Sequence, residues 1–127
     1  MRNLDLFAEV AFDEASSAAP PPTPDTTAHN TSAANAAATF TISAPGADQA
    51  IRLNTLYFGY SASPTNGLLT IAATGLATIS IPVTSAGAAF LPIDLLAPDN
   101  TAVTVTLSAG GADVVGRCSA TFSTEAV

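Results

Sequence analysis

The sequence predicts an all-β protein: an antiparallel β-sandwich or small jelly roll of about seven strands, preceded by an extended N-terminal arm. Three observations predict it. Hydrophobic residues make up 48% of the chain but aromatics only 6%, with no Trp and no Lys; Ala, Val, Ile, Leu, Thr and Ser dominate, and the long helix formers are scarce. Apolar residues recur at period two in one short run after another, the spacing of a half-buried strand. Clusters of Gly, Pro, Asn and Asp separate those runs at short intervals, as turns do. With 127 residues, the chain can build one ordinary core.

The first element is an arm, residues 1–15. Leu4, Leu6, Ala8, Val10 and Phe12 alternate with Asp5, Phe7, Glu9, Ala11 and Asp13. On a helix neither face would be clean, so the strand reading is the better one. Residues 16–38 follow as a linker in which Pro20, Pro21, Pro22 and Pro24 mix with small polar residues and no apolar period appears. As a random coil a segment of that length averages about 25 Å end to end, enough to carry the arm beyond its own domain.

The sandwich is expected over residues 39–127. Phe40 and Ile42 alternate with threonines before the turn at Ala44, Pro45 and Gly46. In the run 51–60, Ile51 and Leu53 have one parity and Leu56, Phe58 and Tyr60 the other, which implies a bulge near Asn54 or burial on both faces. Residues 63–67 close that run. Two short strands flank Gly75, carrying Leu69, Ile71, Ala73 and Ala77, Ile79, Ile81, Val83, with Pro82 marking the second as an edge or a strand end. A short apolar segment, residues 90–93, leads to the turn 97–100. Val103, Val105 and Leu107 then alternate cleanly, and Gly110-Gly111 reads as a tight hairpin into the last strand, residues 114–122.

The formal charge is −7, and Arg2, Arg52 and Arg117 are the only basic side chains apart from His29. Scattered cations cannot neutralise a phosphate backbone, so nucleic acid is not expected as a partner, and the same sign disfavours an anionic membrane surface. Residues 53–93 carry no charged side chain, but Pro64, Gly67, Gly75, Pro82 and Gly87 divide them too finely for a membrane-spanning helix. The first residues carry acids at positions 5, 9, 13 and 14 in place of the uninterrupted apolar stretch of a secretory signal, so synthesis and retention in a cytoplasm are expected.

Enzymatic chemistry has little to work with. His29 is the sole histidine and falls in the linker; Cys118 is the sole cysteine and shares a strand face with Val114, Gly116, Ala120 and Phe122, the pattern of a buried small hydrophobe. Asp48, Asp94, Asp99, Asp113 and Glu125 are singly spaced and read as solvated turn formers, which leaves loop carboxylates with backbone carbonyls as the remaining arrangement for calcium. Ala109-Gly110-Gly111-Ala112 precedes a strand pattern and no Lys follows, unlike a phosphate cradle. No catalytic residue, cofactor or metal ligand is assigned.

Several stretches resemble the small β-sandwich structural proteins of tailed bacteriophages, the head decoration or cement proteins in particular. They are Ala44-Pro45-Gly46 followed by Ala50-Ile51-Arg52-Leu53, then Leu56-Tyr57-Phe58-Gly59-Tyr60-Ser61, Gly67-Leu68-Leu69-Thr70-Ile71, Asp99-Asn100-Thr101-Ala102-Val103-Thr104-Val105 and Val115-Gly116-Arg117. The resemblance spans roughly residues 39–122 as a pattern of strands and glycines. It implies a rigid β body on the outer head surface of a virion, often trimeric, with a terminal arm touching neighbouring capsid subunits; it carries no catalytic residues.

On that basis the expected function is a non-enzymatic capsid decoration protein, made in the host cytoplasm, that stabilises the lattice through its sandwich and its arm. Leu4, Leu6, Phe7, Val10 and Phe12 are the expected partner-binding residues of the arm. The uncharged span points to contact between copies, a trimer being favoured, near Leu56, Phe58 or Tyr60. The alternatives are a tail, neck or fibre component of a phage, and a host adhesion or carbohydrate-binding β-sandwich module.

Overall fold

The computed structural model describes residues 26–127. The expected arm, and the linker as far as residue 25, lie outside the described residues. Eight strands follow one another: β1 (Thr26–Thr31), β2 (Ala38–Ile42), β3 (Gln49–Tyr60), β4 (Gly67–Ala73), β5 (Leu76–Val83), β6 (Gly87–Leu96), β7 (Val103–Leu107) and β8 (Gly116–Ala126). They form two antiparallel four-stranded sheets, sheet A in the order β1-β8-β3-β6 and sheet B in the order β2-β7-β4-β5. This is the jelly-roll arrangement, in which a long folded ribbon of paired strands is rolled into two facing sheets.

Each sheet turns one side of its strands inward. Phe40 and Ile42 of β2, Leu69 and Ile71 of β4, and Val103, Val105 and Leu107 of β7 line the inner face of sheet B. Leu53, Leu56 and Phe58 of β3 meet them from sheet A, together with Cys118 and Ala120 of β8. Full burial of one such aliphatic side chain stabilises the fold by about 1.5–3 kcal/mol. The interior is filled mainly by branched aliphatics with Phe40 and Phe58 among them, and Tyr60, its one buried phenol, donates a hydrogen bond to the carbonyl of Ser108 at 2.8 Å.

The bulge expected near Asn54 is present: the register of β3 against both β6 and β8 shifts between Leu53 and Thr55. The extra residue flips the parity, so Leu53 before it and Leu56, Phe58 and Tyr60 after it are all buried. The β4–β5 hairpin turns at Thr74-Gly75, where Gly75 has φ of +84°, a backbone angle that side chains with a Cβ seldom adopt. Pro82 lies in β5, an edge strand, as its missing N–H requires.

Two elements differ from the expectation. Residues 26–31, read as linker, form β1, which pairs with β8 from Thr26↔Phe122 to Thr31↔Arg117. Its sequence TTAHNT is mostly exposed, and its place in the sheet is set by backbone pairing, which leaves no apolar period to read. Gly110-Gly111 is not a hairpin, because β7 belongs to sheet B and β8 to sheet A. Gly111 adopts φ of +111°, while Gly110 packs so closely that a Cβ there would lie 2.6 Å from Val114 Cγ1 and 2.8 Å from Tyr60 Cδ1.

Replacing Leu56, 1% exposed, by Ala should lower the unfolding free energy by about 2–5 kcal/mol. Tyr57→Ala, on the opposite side of the same strand, should cost about 1 kcal/mol or less. Urea denaturation of the two variants checks the assignment of faces.

Candidate functional site

The outer face of sheet A carries the most distinctive surface of the described residues. Because β3 buries Leu56, Phe58 and Tyr60, the intervening Tyr57 must point outward, and it is 46% exposed. Its cross-strand partner on β6 is Phe90, 56% exposed. The two rings stack across the strands with centroids 5.0 Å apart and planes inclined at 52°. Leu96, further along β6, is also exposed. Such a pair can gain binding energy cheaply, since both side chains are already held against one another by the sheet.

Beside the aromatic pair is a half-open groove of about 340 Å³. Tyr57, Gly59 and Ser61 of the β3 side, Arg117 and Ser119 of β8, and Gly87 and Ala88 of β6 line it. Gly59 is required by the fold itself: a Cβ at that position would lie 2.3 Å from the carbonyl oxygen of Gly87. Arg117 stands over the groove next to β1, where its Nε donates to Thr31 Oγ1 at 3.3 Å, and it makes no ion pair among the described residues. The groove therefore offers an aromatic wall, a backbone floor and one cation.

The other end of the face is locked. Arg52 of β3 donates through Nε and Nη2 to both carboxylate oxygens of Glu125 on β8, at 3.0 and 2.8 Å, and through Nη1 to Asp94 of β6 at 2.7 Å. Asp94 has a left-handed backbone, φ 48°, beside the irregular step in the β3–β6 register. One guanidinium thus ties together three strands next to the bulge. Its hydrogen bond to Glu125 holds that carboxyl below the usual carboxylate range, and the Glu125 and Asp94 hydrogen bonds raise the arginine's own pKa.

The residues expected at a contact between copies, Leu56, Phe58 and Tyr60, are in the core, because the bulge turns that half of β3 inward. With Leu56 and Phe58 buried, strict alternation puts Tyr57 outside, while its contact with Phe90 arises only from the pairing of β3 with β6 and has no local signal in the sequence. His29 is exposed on β1, at the register position of Ser119. Cys118 is 1% exposed, with its thiol 3.5 Å from the carbonyl of Ala38, and burial pushes its pKa up to about 11. Among the described residues no three His, Cys, Asp or Glu side chains gather as a metal site. Leu4, Leu6, Phe7, Val10 and Phe12 lie outside the described residues.

The fold has counterparts among solved structures. A chain in the acidic stable capsid structure of Helicobacter pylori bacteriophage KHP30 is similar over 81% of this chain and 90% of its own, with 8% identity and a TM-score of 0.53. The module TmCBM61, solved in complex with β-1,4-galactotriose, is similar over 82% and 89%, with 10% identity and a TM-score of 0.45. A family 16 carbohydrate-binding module matches over 69% and 70%, with 8% identity and a TM-score of 0.47. At these identities the likeness is one of fold. No protein-family model and no curated protein matches the sequence.

A carboxyl held below its ordinary pKa stabilises the fold above that ordinary value and loses the contribution as pH falls through the folded-state value. Denaturation at neutral pH and at about pH 3 should therefore show a larger acid loss for the native chain than for Glu125→Gln. The Cys118 thiol should react with a disulfide reagent at about pH 8 only after unfolding.

Proposed function

We propose that this protein is a non-enzymatic structural component of a bacteriophage virion, a decoration or cement protein of the outer head surface. In this reading the outer face of sheet A sits on capsid subunits, and residues 1–15 dock on a neighbouring subunit of the particle. The observation that carries it is the Tyr57–Phe90 pair: two large apolar rings held in the open on a sheet that Arg52 clamps across three strands. The fold likeness to a chain of a phage capsid structure supports the same class.

The physics of such a role is mass action. A protein that binds only the assembled lattice stabilises it by its binding free energy, and copies that touch more than one subunit add an avidity term set by the tether. Pre-ordered aromatic anchors and a proline-stiffened tether both reduce the entropy lost on binding. The acidic surface then confines attachment to places where apolar or basic ground is offered.

A second reading has its own observation. The groove beside Tyr57, with an aromatic wall and with Arg117, Ser119 and Ser61 to meet hydroxyl groups, has the dimensions and chemistry of a site for a short sugar chain. That would make the protein an adhesion or carbohydrate-binding module.

Co-sedimentation with particles lacking this protein separates the two. Under the decoration reading, Tyr57→Ala with Phe90→Ala should weaken retention at least about tenfold, the loss of one anchor's worth of binding. Unchanged retention of that variant would remove sheet A as the docking face. Binding of the purified native protein to an oligosaccharide array, lost in Tyr57→Ala, would favour the carbohydrate reading.

A further inference from the structure

The two flanks of the sandwich are closed differently. On one flank β1 lies over β2, and the inward residues of β2, Ala38, Phe40 and Ile42, are all buried. Asn30 Nδ2 on β1 donates to the carbonyl of Thr39 on β2 at 2.6 Å, bridging the sheets there. On the other flank the edge strands are β5 and β6. Their inward side chains, Ile79, Ile81 and Val83 against Leu91, Ile93 and Leu95, pack on the core yet stay part exposed. Six branched aliphatics thus stand part exposed along two edge strands that have no further partner strand among the described residues. No charged side chain interrupts residues 53–93.

An occupant for that flank needs apolar side chains at period two on one face and a length close to the eight residues of β5 or the ten of β6. The sequence before the sandwich supplies such a segment. Leu4, Leu6, Ala8, Val10 and Phe12 form one face, and Asp5 and Glu9 fall on the other together with Phe7 and Ala11. A nine-residue strand spans about 30 Å, the length of the flank strands. An added strand also satisfies edge N–H and C=O groups that Pro82 and Pro92 interrupt at only one position each.

β1, the first strand of the described residues, is the edge of sheet A opposite β6. The sequence immediately before β1 carries Pro20, Pro21, Pro22 and Pro24, a composition that disfavours a tight reversal. A segment that leaves by one flank and fits the opposite flank makes a heterologous contact, and such contacts close into rings when the rotation allows. Resting on the reading of residues 1–15 as a docking arm, we propose that residues 4–12 of one copy lie as an added strand along the β5–β6 flank of the next, closing a small ring of copies. The neighbouring subunit that receives the arm is then another copy of this chain.

The test uses the purified full chain without particles, so its outcome is independent of particle binding. Sedimentation velocity should give a whole-number multiple, about twofold or more, of the 12.6 kDa chain mass. Leu6→Asp with Val10→Asp, both outside the sandwich, should bring the mass down to that of a monomer while the circular dichroism of the body is unchanged. A native chain that is monomeric at every accessible concentration, or a variant whose mass does not fall, overturns the proposal. Oxidising a mixture of Val10→Cys chains with Ile81→Cys or Ile93→Cys chains should yield a disulfide-linked pair that neither partner forms alone. If the chain carrying both cysteines closes only on itself, running at monomer size, the arm returns to its own flank and the proposal fails.

Discussion

The structure depends on one nested set of pairings. Around the Thr74-Gly75 turn, β4 pairs with β5, then β3 with β6, β2 with β7, and β1 with β8, each pair antiparallel and each enclosing the previous one. The chain is in effect one long ribbon folded at Gly75. Rolling that ribbon adds the pairings β3–β8 and β4–β7, and these turn four pairs into two sheets. Every other feature is an accommodation to the roll: close packing at Gly110, where the chain crosses between sheets, and the bulge that keeps both halves of the long β3 facing inward.

The bulge and the Arg52 clamp belong together. An extra residue in a strand leaves the local ladder disrupted and free to bend. Here the disruption falls between β6 and β8, and the one guanidinium that can reach both neighbours ties them across it. Because Arg52 binds Glu125 through two parallel hydrogen bonds, it fixes orientation as well as charge. The exposed aromatic pair therefore stands on a sheet whose curvature is fixed nearby.

Much of this was legible because alternation and turn chemistry are local. The parity change at Asn54, the turn at Gly75, the edge position of Pro82 and the inward face of Cys118 all follow from side chains a few residues apart. What local pattern does not encode is the sheet a strand will join. Gly110-Gly111 has the composition of a hairpin turn, and only the partners of β7 and β8, distant in sequence, make it a crossover. β1 is held by backbone pairing to a strand some ninety residues away, and its polar sequence gives no sign of it. The candidate surface was obscured for a related reason: Leu56, Phe58 and Tyr60 are large and uncharged, and their neighbours Tyr57 and Phe90 meet only once β3 and β6 are paired.

Nesting also orders events in time during synthesis. The β4–β5 hairpin is complete early, but β3, the long strand of sheet A, has β8 on one side, and β8 spans residues Gly116–Ala126. Contacts of such sequence separation carry a large closure entropy and form slowly. Sheet A is therefore finished only after that stretch has left the ribosome, and β1, waiting for the same partner, is the longest exposed of all the strands. A polar, nearly uncharged sequence such as TTAHNT is suited to that wait, because it offers a passing chain little to stick to.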